Sequence, residues 1–355
     1  MPISIVIGGQ FGSEGKGKVT HFFAKKYKAS AVIRVGGPNS GHTVINEKGD
    51  AVIFKHLPTS SIIPGIKSVL TAGHYINLEI MQSEINSSKI SSDDLLIDPF
   101  AVIITNDDIN NENKGGLVQK IGSTGCGLGS AILNRISRSE RTLFAKDVDF
   151  LKKYISNTNE YLRELINRGE RIIIEGTQGF GLSLLHSNLY PYSTSRDTTA
   201  AGFLSESGLS PLDVDDIIMV IRAFPIRVAG NSGPLINEIS WNEVTNLSGS
   251  EVEIVEFTSV SKKIRRVAKF DAEIVKRAIS YNKPTQIVLN HLDYLDKSLC
   301  NTNTNSKKIR DFVESVEADI GRKIDYLGLD RKALIMNEYK KLTVNSQKNE
   351  NHASA

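Results

Sequence analysis

The stretch ISIVIGGQFGSEGKGK, Ile3 to Lys18, decides the architecture of this chain. Ile3 to Ile7 is a β-branched run without charge, the pattern of a strand buried on both faces. Glycines at 8, 9, 12, 15 and 17 follow, and Lys16 and Lys18 lead into a helical period that runs to Tyr27. A strand, a glycine-rich turn and a Lys-bearing helix start together build a cradle for phosphates. Glycine lets backbone N–H groups approach an anion, and the helix N-terminus adds partial positive charge. The loop is not a Walker A motif, which places four residues between its first glycine and the Gly-Lys pair. Here five residues follow Gly9 and six follow Gly8.

The same alternation continues outward. Ala31–Val35, Ser68–Leu70, Leu95–Ile97, Arg171–Ile174, Ile217–Ile221 and Gln286–Leu289 are short apolar runs bounded by glycine or turn residues. Helical periods lie at Lys18–Tyr27, Leu78–Asn86, Val148–Arg168 and Ala272–Tyr281. This order predicts an α/β fold with a largely parallel central sheet and flanking helices. Residues 1–340 read as one catalytic domain and 341–355 as a flexible polar tail. Asn106–Gly116, rich in Asn and Asp, reads as a loop that orders on binding, and Asn301–Lys308 as a surface loop.

Composition narrows the function. Apolar residues make up 40% of the 355 and charged residues 23%, as in globular proteins. The net charge is +3, and no basic block stands out, which argues against a nucleic-acid or membrane partner. Cys126 and Cys300 give neither a disulfide framework nor a metal spacing, so a reducing, cytoplasmic setting is expected. No signal-peptide pattern opens the chain, and no apolar run approaches the roughly 20 residues of a membrane span.

Five further segments carry chemistry. After the second apolar run comes GGPNSGHT, Gly36 to Thr43, which sets His42 between Gly41 and Thr43 at a strand end, where it can donate a proton. KIGSTGCGLGSA, Lys120 to Ala131, has four glycines with Ser123 and Thr124 and reads as a second anion site. IIIEGTQGFG, Ile172 to Gly181, places Gln178 at the C-terminal edge of a buried strand, the ligand side of an α/β sheet. EFTSVSKKIRRVAKFD, Glu256 to Asp271, is basic at its centre, and LNHLD, Leu289 to Asp293, ends another apolar run. A nucleotide-binding switch would need the first loop and LNHLD but not the second anion site.

In combination these motifs resemble the adenylosuccinate synthetase family, from Met1 to about Ile335. The resemblance implies a P-loop-NTPase-like fold and a C–N ligase that passes a γ-phosphate to the purine six-oxygen, which aspartate then displaces. It implies that Gly12, Ser13, Glu14, Gly15, Lys16 and Gly17, with Gly41, His42 and Thr43, hold the triphosphate, and that Asn290 and Asp293 meet its base. The acceptor nucleotide would meet Ser13, Asn39, Ser123, Thr124, Gln178 and Thr194, and Arg138 supplied by the partner of a homodimer. Aspartate would meet Thr258, Val260, Ser261, Lys263 and Arg265. Mg²⁺ would meet Ser13 and the Gly41 carbonyl. Catalysis would rest on Ser13, Lys16, His42 and Gln178.

Three positions depart from the family pattern. Its catalytic Asp is Ser13 here, and a serine cannot act as a base at neutral pH unless another group activates it. A shorter side chain leaves room near purine positions one and two, where guanine carries an extra amino group. Lys263 stands where the family has an arginine that touches aspartate and ribose, and a lysine cannot replace a planar fork. The family's TKLD reads LNHLD, which opens the donor base to ATP or dATP, with GTP as the alternative. Ser-Glu-Gly-Lys-Gly with KK-x-RR is similar to a bacteriophage branch of the family, the N6-succino-2-amino-2′-deoxyadenylate synthases. That resemblance implies dGMP and L-aspartate as substrates, a precursor of 2-aminoadenine DNA as product, and a host-cell cytoplasm. IMP is the alternative acceptor.

Overall fold

The computed structural model describes residues 2–258, 263–300 and 306–337. A nine-stranded sheet runs through the molecule in the order Leu334–Met336, Tyr326–Gly328, Gln286–Asn290, Val214–Arg222, Ile3–Gly8, Ile172–Glu175, Ala31–Arg34, Lys67–Leu70 and Leu95–Ile97. All neighbours are parallel except the first two strands of that order, which are antiparallel. Ile5 and Ile7 pack into one core with Ile33, Ile174 and Leu289. Val6 faces the other way, with Val19 and Phe23 of helix Lys16–Lys26. Both faces are covered, which is why these runs lack polar alternation.

The strand Ile3–Gly8 lies mid-sheet, between Val214–Arg222 and Ile172–Glu175. Connections diverge to either side of it, so the loop after Gly8 opens into a crevice at the carboxyl edge. Four strands end there on buried polar side chains: Arg34 beside Glu175, and Arg222 beside Asn290. Three small sheets flank this edge. Two of them are the hairpin His42–Ile45 with Ala51–Phe54, and the set Ile226–Arg227, Arg266–Ala268 and Glu238–Ile239.

Two expectations are corrected. Asn106–Gly116 is not a loop but largely the helix Asn106–Lys114. Thr105 caps it, and the Asp108 carboxylate returns the bond to the Thr105 N–H. Acidic residues in the first turn and Lys114 in the last suit the helix dipole, so a polar composition hid a capped helix. Val148–Arg168 is not one helix either. A 3₁₀ segment, Asp149–Tyr154, precedes the helix Thr158–Asn167, because Asn157 caps the Glu160 N–H and starts a new element. The tail and residues 301–305 lie outside the described residues. Among the described residues, no helix is long and apolar enough to cross a membrane.

Candidate active site

The phosphate loop is fixed from beneath by the sheet edge. Ser13 takes a left-handed conformation, φ 55°, and Gly15 another, φ 92°, as N-cap of helix Lys16–Lys26. The Ser13 carbonyl accepts from Arg222 Nη1 at 3.0 Å, and the His291 ring also bonds the Ser13 backbone. Asn290 Nδ2 donates to the Glu14 carbonyl at 2.7 Å. Arg222 is itself held by Glu256, which also accepts from the Tyr294 hydroxyl. The helix start has no acidic residue in its first turn, so its N–H groups face the crevice without a competing charge on the helix.

Lys16 is buried, and its ammonium meets Glu14 Oε2 at 2.7 Å. Glu14 Oε1 accepts from the Gly12 N–H at 2.8 Å and the Gln10 N–H at 3.2 Å. The carboxylate therefore sits where Lys16 and the loop amides converge.

His42 is placed by close approach to the loop. A side chain at Gly17 would bring its Cβ within 2.9 Å of the His42 Cβ, so only glycine lets the two elements meet. His42 Nδ1 lies 2.5 Å from Glu175 Oε1 and also touches Arg34 Nη1. Glu175 further binds Arg34 at 2.7 Å, the Thr59 N–H at 2.9 Å and the Thr59 hydroxyl at 3.0 Å. Burial, then the Arg34 charge, holds the imidazole well below the usual histidine range. Its resting form is neutral, with Nδ1 facing both Glu175 and Arg34.

The residues expected to meet the acceptor nucleotide include polar atoms without protein partners. Gln178 is left-handed at φ 64°, and its Oε1 is buried with no hydrogen bond. Asn39 Nδ2 approaches Thr194 Oγ1 at 3.5 Å while its Oδ1 is buried and unpartnered. Ser123 Oγ donates to Glu112 at 2.5 Å. Thr124 is exposed and turns to Cys126 Sγ. Gly129 packs near Ser195, which brings the second anion loop beside Thr194. Arg138 is exposed beyond the far end of helix Leu128–Ile136, about 13 Å of helix away from Thr124.

Glu256–Thr258 and Lys263–Arg265 close a neck. The Thr258 N–H donates to the Lys263 carbonyl at 2.9 Å, and the Lys263 N–H to Thr258 Oγ1 at 3.0 Å. Val260 and Ser261, expected to meet aspartate, lie outside the described residues. Arg265 is tied to the Phe257 carbonyl and to Glu256, and Lys263 is exposed.

On the opposite side, Asp293 is buried, and burial pushes its carboxyl above the usual range. Lys18, whose ammonium meets the Asp330 carbonyl, is lowered by burial to about 8. Asn290 does not present its whole amide to a ligand. Its N–H is committed to the loop, and its Oδ1 is buried, unpartnered, against Gly328.

Sequence reasoning missed the second layer: Arg34, Glu175, Arg222, Glu256 and Tyr294. A signal was present for three of them. A charge that closes an otherwise apolar strand, as Arg34, Glu175 and Arg222 do, must be paired at the sheet edge.

A glycine-rich loop at a helix N-terminus and a buried histidine on one sheet edge suit a nucleotide-dependent transferase or ligase. Comparison makes this specific. The family model "Adenylosuccinate synthetase" matches residues 5–146 and 142–301. The adenylosuccinate synthetase of Methanocaldococcus jannaschii is 36% identical over 325 residues, 90% of this chain and 91% of that one. That of Archaeoglobus fulgidus is 35% identical over 326 residues, 90% and 93% of the two chains. Among solved structures, fully ligated adenylosuccinate synthetase from Plasmodium falciparum shares the fold, with a TM-score of 0.83 at 18% identity over 95% of this chain and 100% of that one. Cyanophage S-2L succinoaminodeoxyadenylate synthetase, bound to dGMP and to dATP as energy donor, gives 0.80 at 26% identity over 97% of each chain.

This chain belongs to the adenylosuccinate synthetase family. It is a C–N ligase that joins aspartate to a purine nucleotide and uses a nucleoside triphosphate to do so.

Proposed function

We propose that this ligase joins L-aspartate to C6 of dGMP, with ATP or dATP as phosphate donor, and forms N6-succino-2-amino-2′-deoxyadenylate. The observation that carries the reading is Ser13 in place of the family's catalytic Asp, on a loop otherwise suited to phosphate. The buried, unpartnered acceptors Gln178 Oε1 and Asn39 Oδ1 support it, because guanine offers N1–H and a 2-amino group where hypoxanthine offers N1–H alone. The similarity to the cyanophage enzyme that binds dGMP and dATP supports it further. IMP is the competing acceptor, favoured by the identity to archaeal adenylosuccinate synthetases.

In this reading the purine gives up its N1 proton to solvent, the six-oxygen attacks the γ-phosphorus, the bond to the β-phosphate breaks, and the nucleoside diphosphate leaves. The amino nitrogen of aspartate then attacks C6 and releases a proton to solvent, and phosphate departs with the oxygen. Lys16 exchanges Glu14 for triphosphate oxygens. Added negative charge beside His42 raises its proton affinity, and Glu175 holds the ring so that its other nitrogen meets the six-oxygen. Mg²⁺ fits this donor set. Among the described residues no group of three or more His, Cys, Asp or Glu could cage a metal. An ion held by phosphates, water, the Gly41 carbonyl and the Ser13 hydroxyl needs no such cage. When bound, it neutralises charge on the phosphates.

Asp293 is expected to meet the donor base, and burial raises its carboxyl above the usual range. A carboxylate there accepts from guanine N1–H and the 2-amino group, so the choice of ATP or dATP leans on Asn290 and on the similarity to the cyanophage enzyme bound to dATP. The partner subunit enters through Arg138, which the helix Leu128–Ile136 separates from its own chain's Thr124. Leu133 and Ile136, 68% and 70% exposed on the same helix, would be covered in a homodimer.

The deciding experiment compares kcat/KM for dGMP and IMP in the wild type and in Ser13→Asp. We expect dGMP to be far superior in the wild type and to lose its advantage in the variant. Equal values in the wild type, or a preference for IMP, would overturn the reading.

A further inference from the structure

Four arginines are buried among the described residues, and three of them have a carboxylate: Arg34 with Glu175, Arg196 with Glu206, and Arg222 with Glu256. Arg227 is the exception. It is 3% exposed, and no acidic group of the described residues pairs with it. Its Nη2 donates to the Tyr192 carbonyl at 3.0 Å, while Nε and Nη1 are buried without a partner. Its guanidinium lies over the Phe11 ring, 4.7 Å from the centroid. Across the antiparallel pair its register neighbour is Arg266, a second positive charge. Burial, then Arg266, lowers Arg227 to about 10, so it stays protonated at neutral pH. A buried cation with two free donors and a like charge beside it is strongly unfavourable until an anion arrives.

The place of Arg227 in the fold indicates which anion. Phe11 belongs to the phosphate loop, two residues before Ser13. Tyr192 lies two residues before Thr194. Val228, next to Arg227, packs on Gly122 beside Ser123. Arg266 follows Arg265. The segments expected to hold the acceptor nucleotide and aspartate therefore meet at one unpaired guanidinium, while the triphosphate has Lys16 and a helix N-terminus of its own.

We propose that Arg227 is a substrate-binding residue whose free N–H donors take an oxyanion, either a carboxylate of aspartate or the phosphate of the purine nucleotide. The inference rests on the activity of the family and is independent of the choice between dGMP and IMP.

Steady-state kinetics on Arg227→Lys and Arg227→Met, with each of the three substrates varied in turn, test it. The expected result is a rise of about tenfold or more in the KM of one substrate, as for a lost charge-assisted hydrogen bond. The KM of the triphosphate should stay within about twofold. A rise for aspartate assigns the carboxylate, and a rise for the monophosphate assigns the phosphate. Added guanidinium at millimolar concentration should restore part of the activity of Arg227→Ala. An Arg227→Lys enzyme with all three KM values unchanged overturns the proposal whatever the Met variant does. So does a parallel rise in all three that follows a fall in Tm.

Discussion

His42, Glu175 and Arg34 share a volume that excludes water, so each one's charge is set by the other two. In the proposed mechanism His42→Ala removes the group that meets the six-oxygen. It should lower kcat on the order of 10²–10⁴-fold, the range for a general acid, with little change in the KM of the purine nucleotide. Rapid-quench measurement of phosphoryl transfer would check it, and a loss under tenfold would place His42 outside the chemistry. Asp293 invites a sharper test. An Asn amide at this position offers one donor and one acceptor, which suits the adenine edge, but it cannot accept two N–H groups from guanine as a carboxylate does. Asp293→Asn should therefore keep most of its rate with ATP or dATP and lose any with GTP. Equal losses with all three donors would show that Asp293 does not read the base. His42 and Asp293 stand out in the sequence because each follows an apolar run inside a recognisable motif, and the structure sets His42 at the start of the strand His42–Ile45 and Asp293 in the 3₁₀ turn Leu292–Tyr294. Glu175 was not singled out, although it lies inside the quoted IIIEGTQGFG, because its importance comes from register with Arg34 on a neighbouring strand.

At the scale of elements, seven of the nine central strands were readable, since a strand buried on both faces leaves an apolar run. Tyr326–Gly328 and Leu334–Met336, each three residues long, escaped because their short sequences carry little apolar pattern of their own. Helices were read by apolar period, which worked for Leu78–Ser88 and failed for Asn106–Lys114, where caps and buried Asp108 and Glu112 replace apolar contacts. One feature between elements was invisible in the sequence. His56, after strand Ala51–Phe54, and His74, before strand Tyr75–Ile76, form a buried chain. The Asn77 N–H donates to His56 Nε2 at 3.1 Å, His56 Nδ1 to His74 Nε2 at 3.0 Å, and His74 Nδ1 to the Arg34 carbonyl at 3.1 Å. This direction leaves both rings neutral. Burial lowers both, His56 to about 3, with help from Arg34 and Lys55 for His56 and from His56, Arg34 and Arg196 for His74. Histidines held below their unfolded value of 6.5 leave stability intact above that pH and erode it as the pH falls towards the folded value. Each contributes about 1.4 kcal/mol per pH unit once the unfolded chain takes up its proton. Glu84, next to this pair, is raised by burial and works in the opposite sense. Denaturant unfolding from pH 8 to 5 should show stability falling below about 6.5, with a shallower slope in His56→Gln/His74→Gln, where Glu84 is unchanged. Identical slopes would mean that the pair takes up protons in the folded state.

At the scale of the whole molecule, the described chain leaves the proposed acceptor site open on one side. Thr124 is exposed, and Ser123 donates to a carboxylate, Glu112, where a phosphate is expected. A phosphate dianion and Glu112 repel one another, so binding needs added positive charge at this loop. The chain's own Arg138 is separated from the loop by the length of helix Leu128–Ile136. A second copy that covers Leu133 and Ile136 would bring its Arg138 to the neighbouring loop by symmetry, and the same contact would serve both sites. Each site would then draw Arg138 from one chain and His42 from the other. Arg138→Ala and His42→Ala, each nearly inactive alone, should regain activity when mixed under conditions of subunit exchange. In a hybrid dimer one of the two sites receives both intact residues, while the other receives neither. With random exchange half of the dimers are hybrids, so activity should approach a quarter of the wild-type value per subunit. Exchange would be followed independently by mass spectrometry of isotopically labelled chains. Full exchange without any regain would place Arg138 outside a shared site.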